Sequence, residues 1–233
     1  MRIYFDIETV PSQAPEAREL ARAGVRPPAN YKKPETITEW WKAEGELATE
    51  TAYRKQALDG AAGELCALGF ATDDIDPVSL VRGLDEPEAD FLNRAMTAIN
   101  DLIESGGATG PDGACWPETG FFVGHNTAFD LGFLLRRCWA RGIRPPFPIP
   151  GPSARAGKDF GCSMTLWGGP RDTISLDHLC RALGVQSPKD GITGAEVFDL
   201  WRSGDHDRLA AYNRGDVAAT RACWYRLNWE VIE

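Results

Sequence analysis

The sequence predicts an α/β protein: a mixed sheet flanked by helices, with a helical C-terminal third. Three observations carry that expectation. Short β-branched and aromatic runs dominate the first half of the chain. Strand-like runs then feed directly into apolar stretches of helical period. From residue 175 onward the helical period alone remains, and strands alternating with helices build layered sheets covered by helices.

Residues 2–8 read as a first strand. Pro11 and Pro15 open an excursion, and 13–60, rich in Ala, Glu and Lys with a Pro27-Pro28 break, reads as two or three helices or loops. Residues 64–71 and 78–81 are the next strands, with Asp73-Asp74 in the turn between them. Between Glu86 and Glu104, Phe91, Leu92, Ala95, Ile99, Leu102 and Ile103 recur at helical spacing. The Gly- and Pro-rich stretch from Gly106 to Gly120 is expected to be loop. A short buried strand at 120–124 leads into a helix over about 128–141, packed through Leu131, Phe133, Leu134, Leu135 and Trp139. Residues 145–161 form a second irregular insertion, and helices follow at about 175–184, 193–202 and 205–228. Asp205 is placed as N-cap of the last helix, with Gly204 closing the one before. The whole chain, 1–233, is expected to be a single domain carrying insertions at about 13–60 and 145–161.

The 43% hydrophobic and 25% charged composition is that of an ordinary globular chain. No segment approaches the roughly 18 uninterrupted apolar residues of a membrane span, and no signal peptide is expected ahead of the first strand. The six cysteines contain no Cys-x-x-Cys pair, so they read as reduced thiols of a cytoplasmic protein, several of them in the core. A formal charge of −9 argues against tight binding to long nucleic-acid duplexes, though not against handling a single-stranded end.

Chemistry is concentrated in three segments. Asp6 and Glu8 stand two apart in an apolar strand and therefore face one side, where two carboxylates repel unless a cation lies between them. Asp130, preceded by Asn126 and Phe129, opens the helix that follows the 120–124 strand. Tyr212 and Asp216 stand four apart on a helix and share a face. Taken singly, each has a blander reading as a solvated pair, a helix cap or a half-buried surface. Together they form an oxygen-only donor set suited to divalent metal.

These segments resemble the motifs of the DEDD superfamily of 3′–5′ exonucleases: Asp-x-Glu at Asp6 and Glu8; Asn, a gap and aromatic-Asp at Asn126, Phe129 and Asp130; and Asp216 in the third motif. Tyr212 stands four before Asp216, and the position five before is Ala211 rather than histidine, so the resemblance is to the tyrosine branch. Within it the chain is similar to predicted exonucleases related to the proofreading domain of family B DNA polymerases. The stretches 6–11, 175–179 and 189–194 carry that narrower likeness.

The resemblance implies a ribonuclease-H-like fold and a site holding two divalent ions, Mg²⁺ or Mn²⁺, through Asp6, Glu8, Asp130 and Asp216. Asp6 would bridge, Glu8 and Asp216 would complete the site for the attacking water, and Asp130 would act on the second ion. Tyr212 would orient the water first and remove its proton second. Thr9, Val10, His125, Asn126, Phe129 and Lys189 are the expected contacts to substrate, with Phe129 weighed between base stacking and core. The expected partner is a single-stranded 3′ end, DNA favoured over RNA, with mononucleotides as products and docking of a protein partner open to the two insertions. An exoribonuclease, or a silent binding module that keeps the fold, stays open as the alternative. The eight tryptophans read mostly as core, and Trp40-Trp41 as the pair to test for stacking on single strands.

Overall fold

The computed structural model describes residues 1–106, 108–109, 115–116, 120–188 and 192–230. Its Cα positions divide into two compact units, Met1–Glu8 with Leu65–Glu233, and Thr9–Glu64.

The larger unit is organised by a five-stranded sheet. Strands β1 (Arg2–Val10), β2 (Glu64–Ala71) and β3 (Val78–Val81) are followed by α4 (Glu88–Ser105), which comes after the helices α1 (Ala17–Gly24), α2 (Pro34–Ala43) and α3 (Gly45–Lys55) of the smaller unit. A two-stranded hairpin, β4 (Ala108–Thr109) with β5 (Cys115–Trp116), precedes β6 (Phe121–Gly124) and α5 (Thr127–Ala140). Then come β7 (Gly161–Cys162), α6 (Ser163–Gly168), α7 (Leu176–Leu183), α8 (Val197–Arg202) and α9 (His206–Leu227). The sheet order is β3-β2-β1-β6-β7. β2 and β3 are antiparallel, while β1–β6 and β6–β7 are parallel, with Tyr4 opposite Val123 and Gly124 opposite Cys162.

The period of two in β1 decides which side chains meet which layer. Ile3, Phe5 and Ile7 enter one apolar cluster with Phe91, Leu92, Ile99 and Leu131 from α4 and α5. Tyr4 faces the other side, packed with Ala71, Val123, Val217 and Trp224. Asp6 and Glu8 continue that second face toward the end of the strand. Residues of the irregular 145–161 stretch also join the first cluster: Phe147 and Phe160 are buried, and Phe147 meets Phe122 with ring centroids 5.8 Å apart.

One buried ion pair ties the layers. Glu88, at the start of α4, accepts from the Leu65 amide at 2.9 Å, from Arg137 Nε at 2.9 Å and Nη2 at 2.7 Å, and from Arg141 Nε at 2.7 Å. Burial alone would raise its carboxyl, but these donors hold it below the ordinary carboxylate range. A second tie collects Tyr4 Oη, Tyr225 Oη and Arg2 Nε on the Asp73 carboxylate, joining the start of β1 to the end of α9.

In the smaller unit, α1 (Ala17–Gly24), α2 (Pro34–Ala43) and α3 (Gly45–Lys55) are followed by a 3₁₀ turn, Gln56–Leu58. Arg18 pairs with Glu50 of α3, Gln56 Nε2 donates to the Ala17 carbonyl, and Tyr53 Oη donates to the Ser12 carbonyl. Trp40 is buried here, edge-on to Trp41 at 5.2 Å, and the Arg22 guanidinium lies 5.1 Å from the Trp41 ring centroid. Trp40 is therefore a packing residue.

Several expectations need correction. The helix expected at 193–202 begins only at Val197, because Thr193 gives both its amide and its hydroxyl to Glu196 in a local turn. The stretch expected to be all loop at 106–120 contains the paired strands β4 and β5, although residues 107, 110–114 and 117–119 lie outside those described. β7 and α6 were not expected; two residues of strand are too few to show a period. Asp205 stands at the N-cap of α9 but makes no capping hydrogen bond. Trp139 is 61% exposed, and Trp167 and Trp229 are exposed as well. At roughly 100° per residue, Trp139 lies about 80° past Leu131, away from the face where Leu134, Arg137 and Cys138 are buried. Among the described residues no helix is long and apolar enough to cross a membrane.

Candidate active site

The parallel pairing of β1 and β6 brings the carboxyl ends of both strands to the same edge of the sheet, the usual place for a site in such folds. β1 delivers Asp6 and Glu8 there. β6 ends at Gly124, and the chain turns through Asn126, held in the left-handed region with φ 64°, into α5. The Asn126 carbonyl accepts from the Phe129 amide at 2.8 Å, while its side chain stays exposed and makes no cap bond. This turn places Asp130 in the first turn of α5, where the helix dipole favours a negative charge. Thr127, fully buried, fixes the start of α5 by donating to the Gly161 carbonyl of β7 at 2.7 Å.

The third element is α9. Val217 packs beside Tyr4 on the sheet, and the same helical face presents Asn213, with Tyr212 and Asp216 next to it. One carboxylate oxygen from each of Asp6, Glu8 and Asp216 lies within 4.8 Å of the others. Asp130 is 4% exposed, and its Oδ2 is buried without a hydrogen-bond partner. A buried carboxylate oxygen left unpaired is costly, and it fits a cation or an ion's water shell.

Electrostatics agree with the geometry. Burial, and then Asp216, push the Asp6 carboxyl well above the usual carboxylate range, with a hydrogen bond from Asn213 pulling the other way. Glu8 is raised by burial and by Asp6, Asp216 and Asp130, and Asp130 by burial and Asp6. Asp6, Asp130 and Asp216 each raise another of these acids, a mutual repulsion that a bound cation would relieve. All four donors are hard oxygens, the set that suits Mg²⁺ or Mn²⁺ and not zinc. Tyr212 donates to Asp216 and is raised above the ordinary tyrosine range by burial and then by Glu8, Asp216 and Asp6, so it keeps its proton near neutrality.

Most of the residues expected to contact substrate have partners of their own within the fold. Both ring nitrogens of His125 are engaged: Nε2 with the Ile174 carbonyl at 2.8 Å and Nδ1 with Ser163 Oγ at 2.9 Å. The carbonyl can only accept, which puts the ring proton on Nε2 and makes Ser163 the donor to Nδ1. Burial lowers this histidine below its ordinary value, so it is a neutral strut. Phe129 is half-buried against the main apolar cluster, its ring centroid 5.7 Å from that of Phe133. Thr9 donates its hydroxyl to the Ala57 carbonyl at 2.6 Å, and Val10 is fully buried. Lys189 lies outside the described residues.

Sequence reading missed Asn213. It is fully buried, and its Nδ2 donates to Asp6 Oδ2 at 2.8 Å. The signal was present in the helix: Leu209, Asn213, Val217, Thr220 and Trp224 form one buried stripe at helical spacing, and an amide in such a stripe needs partners.

Comparison with known proteins follows the same lines. Residues 156–230, which hold Tyr212, Asn213 and Asp216, match the model of a family described as predicted 3′–5′ exonucleases related to the exonuclease domain of PolB. No curated protein matches the sequence. Among solved structures, the family B DNA polymerase from the hyperthermophilic archaeon Pyrobaculum calidifontis shares the fold, with a TM-score of 0.56 at 16% sequence identity. That match covers 97% of this chain and 24% of the polymerase, so the chain spans about a quarter of its relative's length. The protein therefore has the ribonuclease-H-like fold of a family B polymerase exonuclease domain, and through residues 156–230 it resembles the predicted 3′–5′ exonucleases related to PolB.

Proposed function

We propose that this protein is a metal-dependent 3′–5′ exonuclease that hydrolyses the terminal phosphodiester of single-stranded DNA and releases nucleoside 5′-monophosphates. The observation that carries the reading is the convergence of Asp6, Glu8 and Asp216 within 4.8 Å, from a strand and a helix far apart in sequence, beside the unpaired buried oxygen of Asp130.

Asp6, Glu8 and Asp216 would hold one divalent ion, and Asp6 with Asp130 would serve a second. When bound, two such ions supply a nucleophilic water at neutral pH and stabilise the leaving 3′-oxygen. The remaining work falls to the chain itself. Tyr212 is hydrogen-bonded to Asp216, so its hydroxyl would orient the attacking water, with proton removal as its second role. His125, Ser163 and Thr127 fix the turn and helix start that aim Asp130. Phe129 stiffens the same helix turn from the core side, leaving the exposed Asn126 amide free to meet the terminal nucleotide.

The test is digestion of single-stranded DNA and RNA carrying either a free or a chemically blocked 3′ end, in Mg²⁺ or Mn²⁺. Loss of mononucleotides from free ends alone, faster on DNA, supports the proposal. Equal degradation of blocked strands would refute it, and faster turnover of RNA would reassign the substrate.

A further inference from the structure

The Asp6 carboxylate is held by a relay that begins two strands away in the sheet. Asn213 Nδ2 donates to Asp6 Oδ2 at 2.8 Å and to the Asp6 backbone carbonyl at 3.3 Å. On its other side Asn213 Oδ1 accepts from Ser79 Oγ at 2.6 Å. These partners fix the amide's orientation. Turned over, its oxygen would face the Asp6 backbone carbonyl and, in the ionised form that binds metal, the Asp6 carboxylate, neither of which can donate.

The seat is built by one cross-strand pair. Gly69 of β2 lies opposite Ser79 of β3 in the antiparallel register. A Cβ at position 69 would stand 2.4 Å from Asn213 Oδ1 and 2.9 Å from Val217 Cγ2. Glycine therefore gives the amide its room while serine gives it its hydrogen bond. Nothing in this relay carries a positive charge. An arginine or lysine in the same place would neutralise Asp6 and compete with a cation for its oxygens. The amide aims the carboxylate through one oxygen and leaves both the charge and the other oxygen available.

We propose that Asn213, seated by Gly69 and Ser79, is the positioning residue that presents Asp6 to divalent metal. The inference rests on the metal-site reading of Asp6, Glu8 and Asp216. Partners that orient a metal ligand typically change metal affinity or activity 10–100-fold when removed. The effect belongs to the metal constant, so saturating cation should restore most of the turnover that Asn213→Ala loses at low cation.

The deciding experiment is calorimetric titration of the full chain with Mn²⁺, without nucleic acid, for wild type, Asn213→Ala, Ser79→Ala and Gly69→Ala. Asn213→Ala should weaken Mn²⁺ binding by roughly 10–100-fold. Ser79→Ala, which keeps the amide but frees its far end, should weaken it less, and Gly69→Ala should weaken it by pushing Asn213 out of its seat. Unchanged Mn²⁺ affinity in a folded Asn213→Ala protein overturns the proposal. If that variant does not fold, unchanged affinity in Ser79→Ala overturns it instead. A wild type that binds no Mn²⁺ overturns the metal reading and this inference together. A wild type that binds Mn²⁺ in this titration but degrades no nucleic acid in the digestion assay overturns the exonuclease reading alone.

Discussion

Replacing Asp216 by Asn should stabilise the protein without metal and destabilise it, relative to wild type, when metal is present. The side chain keeps its shape and can still accept from Tyr212, so the change is one of charge. Each pair among Asp6, Glu8 and Asp216 lies within 4.8 Å, and at an effective dielectric near 20 two unit charges at that distance repel by about 3–4 kcal/mol. The full repulsion is not felt, because the raised carboxyls take up protons. That exchange costs about 1.4 kcal/mol per pKa unit and leaves a relief of roughly 1–3 kcal/mol near neutral pH. For a chain of this size each kcal/mol moves Tm by about 2–4 °C, so Asp216→Asn should melt roughly 2–12 °C above wild type in EDTA. With cation at about a hundred times its dissociation constant, wild type gains about 2.7 kcal/mol and the variant, short of one ligand and one charge, gains far less. The assay is thermal melting of both proteins across a Mn²⁺ series, and the curves should cross. A variant that melts below wild type in EDTA, or gains as much from Mn²⁺, would show that these carboxylates do not form a cation site.

Tyr212→Phe keeps the ring and removes the orienting hydroxyl; turnover should fall about 10²-fold with Mn²⁺ affinity unchanged, and a parallel loss of metal affinity would make the residue structural. Glu88→Ala removes the carboxylate paired with the buried Arg137 guanidinium and should cost about 3–5 kcal/mol by denaturant titration while leaving catalysis per folded molecule intact. Because its partners hold Glu88 below the ordinary value of 4.5, its contribution is present above that pH and is lost as pH falls through the depressed folded value. Glu88→Gln should accordingly flatten the acid limb of the stability curve, and an unchanged limb would assign acid unfolding to other groups. Binding of single strands in Ca²⁺ should show a slope of log affinity on log salt of roughly −2 to −3.5, corresponding to three to five phosphates. A slope steeper than about −6 would reveal an extended groove instead.

How much could be read in advance depended on whether a feature was local and periodic. The alternation of Ile3, Phe5 and Ile7 against Tyr4, Asp6 and Glu8 is a period of two over a long strand, and the structure has those two faces. The start of α5 after Gly124 and the shared face of Tyr212 and Asp216 on α9 were legible for the same reason. β7 was illegible because two residues have no period, although its parallel pairing to β6 completes the sheet. The Glu88–Arg137 pair and the Ser79–Asn213–Asp6 relay join residues far apart in sequence, and no local pattern encodes which polar groups meet across a fold. Trp139 shows the opposite error, since a large apolar side chain suggested core where the helix angle turns it outward.

On the proposed reading, the acids of β1, α5 and α9 make a metal-dependent site acting from the 3′ end. One reaction tests it most directly: a single-stranded DNA labelled at its 5′ end, incubated with the wild-type protein in EDTA and then supplied with excess Mn²⁺. The label should stay full-length in EDTA and shorten stepwise to a descending ladder once Mn²⁺ is added. Degradation that proceeds in EDTA, or immediate release of the 5′-terminal nucleotide with no ladder, would contradict it.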